Sequence, residues 1–438
     1  MTLIDLTTPV VRSSRLDGLP VAIIGAGPIG LAAAANLVER DIDFVIYEAG
    51  QSVASSVDQW AHIRFFSPWQ HAIDPASRRL LEAADWSAPD PKKLPTGADL
   101  IQSYLRPLAE LPAIASHIRT GLTVMAVSRE GMDRTRTANR ADTPFLLRLS
   151  SESGVEEVTA RAVIDASGTY LSPNSLASTG LEPLGLPEVA DRVTHALPDV
   201  LGRDRARFAG RHTTVVGAGH SAANTLLNLA ALAREEPGTR ITWLIRNASA
   251  VRVSTSPDDE LAARAAIGSR VERLVAAGVI EQLDRFEIVR LAPAGDGVRL
   301  IGHRAGELVE HETDVVVNAT GFRPNLDMLR EVRLELDEIV EAPKRLAPLI
   351  DPNVHSCGTV APHGFAELQQ PEPNFFLAGM KSYGRAPTFL LATGYEQVRS
   401  ITAWIAGDVA AASNVELVLP ATGVCSTGPA AVGGSCCS

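Results

Sequence analysis

The chain has little cysteine, few aromatics and no excess of positive charge. Four of its 438 residues are cysteine and 5% are aromatic. Four cysteines make no disulfide framework for a chain of this length. No Cys-x-x-Cys occurs, so a redox dithiol of the thioredoxin type lacks its parts. Lys and Arg number 40 against 51 Asp and Glu, a net charge of −11. Surface of that sign does not neutralise phosphate, which argues against a dedicated nucleic-acid binder. The first nineteen residues carry Asp5, Arg12, Arg15 and Asp17 and show no apolar stretch with a cleavage site, so no secretory signal is read there. The expected location is cytoplasmic, where thiols stay reduced. With 45% apolar and 21% charged residues, the composition is neither disordered nor low-complexity. At roughly 150 residues per domain the length suggests two to three domains.

Long uncharged runs are also scarce. Val21–Val38 and Thr213–Ala233 are the two that approach membrane length. Each opens with a short β-branched stretch and then breaks at Gly-x-Gly. A spanning helix has no use for a glycine pair there, whereas a strand-turn-helix does. Both runs therefore predict βαβ units, and no membrane partner is expected.

In the first unit, VAII (Val21–Ile24) leads into Gly25-x-Gly27-x-x-Gly30. An apolar helical face follows, then the strand FVIYE (Phe44–Glu48). Pyrophosphate needs backbone N–H donors at close range. Glycines let the backbone approach, and a helix N-terminus adds the positive end of its dipole. Glu48 lies at a strand end eighteen residues after Gly30, placed to accept from ribose hydroxyls. Strand, turn, helix and acid together point to dinucleotide binding. The second unit repeats the pattern from His212, through Gly217-x-Gly219-His-Ser221-Ala222, to the strand Arg240–Ile245. Its strand end carries Arg246 where the first copy has an acid. An arginine there suits the 2′-phosphate of NADPH, or is an ordinary surface residue.

Two fingerprints with unlike strand ends resemble the two-dinucleotide-binding-domain flavoproteins, and within them the flavin-containing, or class B, monooxygenases. Ala319-Thr320-Gly321 with Phe322 is similar to that family's ATG motif, and Ala166-Ser167-Gly168 to its partner crossing. The resemblance covers about residues 18–408. It implies an α/β fold of two Rossmann-like domains, the NADPH domain inserted into the FAD domain. The first part of the FAD domain would span 1–175, the NADPH domain 176–314 and the second FAD part 315–412, with a flexible tail over 413–438. Trp60 sits where the family has a Trp near the flavin. FAD would then lie on Gly25, Gly27, Gly30, Glu48, Trp60, Gly379 and Thr388, and NADPH on Gly217, Gly219, Ser221 and Arg246. A helix from Pro387 or Thr388 to Trp404 would aim its N-terminus at the flavin's pyrimidine edge. The implied activity is a monooxygenase of the flavin C4a-hydroperoxide type, using O2 on a small soft nucleophile or carbonyl. An NADPH-dependent reductase and a flavin-holding metalloid-binding protein are the other readings.

The chain departs from the pattern in two places. The Phe-x-Gly-x-x-x-His signature is reduced to Thr194-His195-Ala-Leu-Pro-Asp199. The Gly-Asp usual after a late strand is replaced: NFFLAG (Asn374–Gly379) is followed by Met380 and Lys381, the latter either a cation near the FAD phosphates or solvent-facing. Cys357, near His355 and His363, matches no standard zinc spacing. Cys425, Cys436 and Cys437 crowd a tail of small residues. Adjacent thiols on such an arm suit a soft ion such as arsenic(III). Flavin monooxygenase-like proteins of arsenic-resistance operons are similar.

Overall fold

A computed structural model describes residues 15–248, 262–351, 362–387 and 389–417. Along the chain, β1 (Val21–Ile24) and β2 (Phe44–Tyr47) flank the helix Pro28–Val38. The stretch 51–112 holds several short helices, Pro75–Glu82 among them. There follow β3 (Ile118–Arg119), β4 (Thr123–Arg129), β5 (Phe145–Ser151), β6 (Gly154–Ala160), β7 (Ala162–Asp165), β8 (Val193–Thr194) and β9 (His212–Val216). Helix His220–Glu235 leads to β10 (Arg240–Leu244) and helix Ala262–Ala276 to β11 (Glu281–Leu283). β12 (Phe286–Ala294), β13 (Gly297–Arg304), β14 (Glu307–Thr313) and β15 (Val315–Asn318) come next. β16 (Phe375–Leu377) and the helix Leu391–Ile405 close the first domain.

Two parallel sheets result, in the orders β16-β7-β1-β2-β3 and β11-β10-β9-β15-β8. Each is covered on one side by helices and on the other by an antiparallel three-stranded sheet. In β1, Val21 and Ile23 join the helical core while Ala22 and Ile24 face the β4-β5-β6 side. In β9, Val215 packs with the helices and Val216 with Phe286, Ile288 and Val298 of β12-β13. Strands buried on both faces read as unbroken apolar runs, which is why Val21–Ile24 and Val315–Val317 carry no polar alternation. The fold is thus α/β with two Rossmann-like domains. β15 pairs with β9, so the fourth strand of the second sheet lies just beyond the expected segment 176–314.

The late helix starts at Leu391, a few residues after the expected Pro387. Thr388 lies outside the described residues. So do Cys357, Cys425, Cys436 and Cys437. The expected tail is not free from its first residue: Ala412 and Ser413 are helical, and Glu416 lies 3.5 Å from Arg399 on the late helix. Among the described residues no helix is long and apolar enough to cross a membrane.

Candidate dinucleotide sites

Both fingerprints form tight strand-to-helix turns at the C-terminal ends of parallel strands, where open α/β sheets bind ligands. Gly25 has φ +98°, and a Cβ there would fall 2.9 Å from the Ala166 carbonyl oxygen. A Cβ at Gly30 would lie 1.9 Å from the Gly25 oxygen. The turn's own packing therefore requires both glycines. Gly27 differs: its φ is an ordinary −81°, and a Cβ would meet no protein atom within 4 Å. The chain does not need glycine there; a ligand approaching the backbone does. The second turn repeats this division. Gly217 has φ +132° with a Cβ 2.1 Å from the Ala319 oxygen, while Gly219 has φ −100° and clear surroundings. The third position is Ala222, fully buried.

Neither N-cap, Gly27 nor Gly219, offers a side-chain acceptor to its helix. A helix N-terminus whose cap residue supplies no acceptor is suited to an anion. These cradles fit two pyrophosphates. Glu48 is nearly buried and fixed by three donors: Ala26 N at 2.7 Å, Gly50 N at 2.8 Å and Ser55 Oγ at 2.8 Å. A carboxylate accepts about four hydrogen bonds, so capacity remains for a ribose hydroxyl. Trp60 follows the short helix Ser55–Asp58, itself tied to the first turn by Ala54 N on Ala26 O at 3.0 Å. Gly379 has φ +69° and packs on Ile29 inside the fingerprint, as does Gly394 on the late helix. Gln397 Oε1 accepts from Gly379 N at 2.8 Å. Five of the expected FAD residues and the late helix thus converge on one turn.

In the second domain, Gly217 N donates to Leu244 O at 3.1 Å and Trp243 Nε1 to Gly217 O at 2.7 Å. Arg246 is exposed two residues past Leu244, at the same sheet edge as the turn. Ser221 is half-buried in the first turn of the helix.

The two domains are joined by paired crossings. Asn174 N donates to Gly321 O and Arg323 N to Ser172 O, at 2.9 and 3.0 Å. Thr320 Oγ1 and Asn318 Nδ2 both donate to Asn174 O. His195, from the reduced monooxygenase signature, packs against both Tyr170 and Phe322, with ring centroids 4.8 and 5.5 Å away, and those two rings also meet each other at 5.3 Å. Both its ring nitrogens are buried without a hydrogen-bond partner. Burial pushes the Tyr170 hydroxyl up to about 12, and it donates to Ala196 O. Across the interdomain face, Phe66 packs on His220, and burial lowers the His62 pKa.

Lys381 does not face solvent. Its Nζ lies 2.7 Å from Asp165 Oδ2, with side chains 1% and 0% exposed. Nothing in the sequence near either residue announces this pair. The same holds for Glu372, which is buried between Arg129 and Arg140 at 2.8 Å each. Among the described residues no cluster of His, Cys, Asp or Glu is arranged to hold a metal ion.

Two glycine cradles on two parallel sheets, joined by two crossings, define a two-domain flavin- and nicotinamide-dinucleotide oxidoreductase. The pyridine nucleotide-disulphide oxidoreductase family matches residues 22–356, and the chain belongs to it. The chain is similar to a curated ferredoxin–NADP reductase of Granulibacter bethesdensis, 27% identical over 370 residues, 82% of this chain and 87% of that one. Its fold is similar to the bacillithiol disulfide reductase of Bacillus cereus, with a TM-score of 0.66 and 20% identity over 89% of this chain and 99% of that one. It is similar too to the FAD-bound cadaverine monooxygenase of Erwinia amylovora, with a TM-score of 0.63 and 13% identity over 92% and 98%. FAD and NADPH are its cofactors.

Proposed function

We propose that the chain is an FAD- and NADPH-dependent monooxygenase acting on a small soft nucleophile or a carbonyl, in the service of arsenic or other metalloid resistance. Bound FAD, reduced by NADPH, supplies the activation of O2. The balance is one NADPH, one proton and one O2 consumed per oxygenated product, NADP+ and water. The observation that carries the reading is the placement of His195. The histidine of the reduced monooxygenase signature packs against Tyr170 and Phe322, the aromatics that follow the two crossings. The three half-buried rings pack together where the crossings meet, and shielding of the reacting centre from water is a condition oxygen-activating chemistry demands. The lack of a Cys-x-x-Cys argues in the same direction, since dithiol exchange has no partner here. The metalloid assignment rests on sequence: three thiols within the last fourteen residues match the soft-ligand preference of arsenic(III).

A second reading, an NADPH-dependent reductase passing electrons to an acceptor, draws support from the 27% identity to a ferredoxin–NADP reductase. Turnover under 18O2 with arsenite or an organic sulfide separates the two. Label in the product, coupled to NADPH loss, supports oxygenation. Unlabelled product, with fast anaerobic reduction of a one-electron acceptor, establishes the reductase instead. Arsenite titration of the wild type and of Cys436→Ser/Cys437→Ser tests the tail. Equal affinity of both proteins removes the metalloid assignment and leaves the flavin chemistry standing.

A further inference from the structure

Lys381 occupies a place the oxygenase reading leaves without a role. Its ammonium contacts Asp165 Oδ2 at 2.7 Å and donates to Ser167 Oγ at 3.0 Å. Ser167 in turn donates to Asp165 Oδ1 through its hydroxyl at 2.6 Å and through its backbone N–H at 3.1 Å. The three groups form a closed triangle. Asp165 ends β7, and its carbonyl accepts from Ala378 N at 2.9 Å. Ala166 N donates to Ile24 O at 3.0 Å. The triangle therefore ties the crossing Ala166–Gly168 to the turn Gly379–Tyr383, directly beside the first fingerprint.

What the triangle fixes is the floor of the FAD turn. A Cβ on Gly25 would fall 2.9 Å from Ala166 O and 3.0 Å from Ser167 Cα, so the Ala166–Ser167 backbone is the surface on which Gly25 rests. Lys381 and Asp165, 1% and 0% exposed, present no surface to a cofactor. A buried ion pair also brings little net stability, since apolar residues of similar volume do as well or better. A pair of that kind, placed under a binding loop, serves to hold one geometry.

We infer that Lys381 is a positioning residue for FAD: through Asp165 and Ser167 it sets the height and angle of the Gly25 turn, and so the affinity for the FAD pyrophosphate, without touching the cofactor. The inference concerns the FAD site and holds for either electron acceptor.

The test uses the full chain freed of flavin. FAD and NADPH dissociation constants and the apoprotein melting temperature are measured for wild type, Lys381→Met, Asp165→Leu/Lys381→Met and Ser167→Ala. Lys381→Met strands a buried carboxylate and is expected to lower both stability and FAD affinity. The double variant carries no stranded charge. Its apoprotein is expected to melt within a few degrees of wild type, while its FAD dissociation constant rises at least tenfold and its NADPH constant stays put. Ser167→Ala keeps the ion pair and is expected to weaken FAD severalfold. FAD affinity within threefold of wild type in the double variant overturns the inference, as does an equal loss for NADPH. If the double variant does not fold, Ser167→Ala decides, and unchanged FAD affinity there overturns it.

Discussion

Gly217 rests on the carbonyl of Ala319, its would-be Cβ 2.1 Å from that oxygen, much as Gly25 rests on Ala166 at 2.9 Å. Each nucleotide turn is thus seated on the crossing that leaves or returns to its own sheet. Substitutions in the turns should separate into those the fold feels and those only a cofactor feels.

Gly27→Ala is expected to leave the apoprotein melting temperature nearly unchanged, because a Cβ there meets no protein atom within 4 Å, and Gly27→Leu to abolish retention of FAD. Gly25→Ala should lower both, since φ +98° and the Ala166 oxygen oppose any side chain. Differential scanning fluorimetry of apoprotein, with flavin absorbance of the purified holoprotein, reads the contrast. Flavin retained at wild-type level in Gly27→Leu contradicts the cradle.

Arg246→Ala is expected to raise the KM for NADPH and leave that for NADH little altered. A charge-assisted contact of this kind is worth roughly 1.5–3 kcal/mol, about ten- to a hundredfold. Arg246 is exposed at the strand end, so its loss should not touch stability. Equal changes for both nucleotides would remove it from 2′-phosphate recognition.

Glu372→Ala leaves the guanidinium groups of Arg129 and Arg140 buried without a counter-ion. A loss of about 3–5 kcal/mol in unfolding free energy is expected. Arg129 also stacks on Phe145 at 3.5 Å and donates to Thr143 O and Pro373 O, which ties β4 to the entry of β16. Denaturant unfolding of the apoprotein measures this; a change below about 1 kcal/mol would show the cluster to be solvated.

Asp74 gives the first domain a pH dependence. The residue is buried, and burial raises its carboxyl from 3.8 to about 6. Between those values the unfolded chain releases a proton that the folded chain keeps, so stability falls as pH rises from about 4 to 6. At about 1.4 kcal/mol per unit, the loss is about 3 kcal/mol. Asp74→Asn should flatten that window in unfolding titrations. In the second domain His212 acts with the opposite sign. Burial lowers it from 6.5 to about 4, so stability is full above 6.5 and is lost as pH falls toward 4. A wild-type profile identical to that of Asp74→Asn would mean the carboxyl titrates normally.

The glycine turns and their flanking strands are readable in sequence because each is a local pattern, a few residues whose φ, size and order are dictated at short range; the two crossings are legible only through the resemblance to a known family. The features that escape sequence reading are pairings between distant positions. Lys381 meets Ser167 across 214 residues and Arg129 meets Glu372 across 243, and no local periodicity marks such partners. The sheet β12-β13-β14 answers to none of the sequence patterns described above. The late helix starts at Leu391 rather than Pro387. The observed N-cap, Leu390, makes no side-chain cap hydrogen bond, so the start carries none of the polar signals by which sequence marks a helix end.

The crossings have a mechanical consequence. Ser172–Asn174 and Thr320–Arg323 run antiparallel and share hydrogen bonds, so the link between domains is a ribbon and not two separate threads. One of its strands begins at Ala166, under Gly25, and the other at Ala319, under Gly217. The ribbon that joins the domains is therefore also the seat of both glycine turns, each of its strands serving as link and as floor.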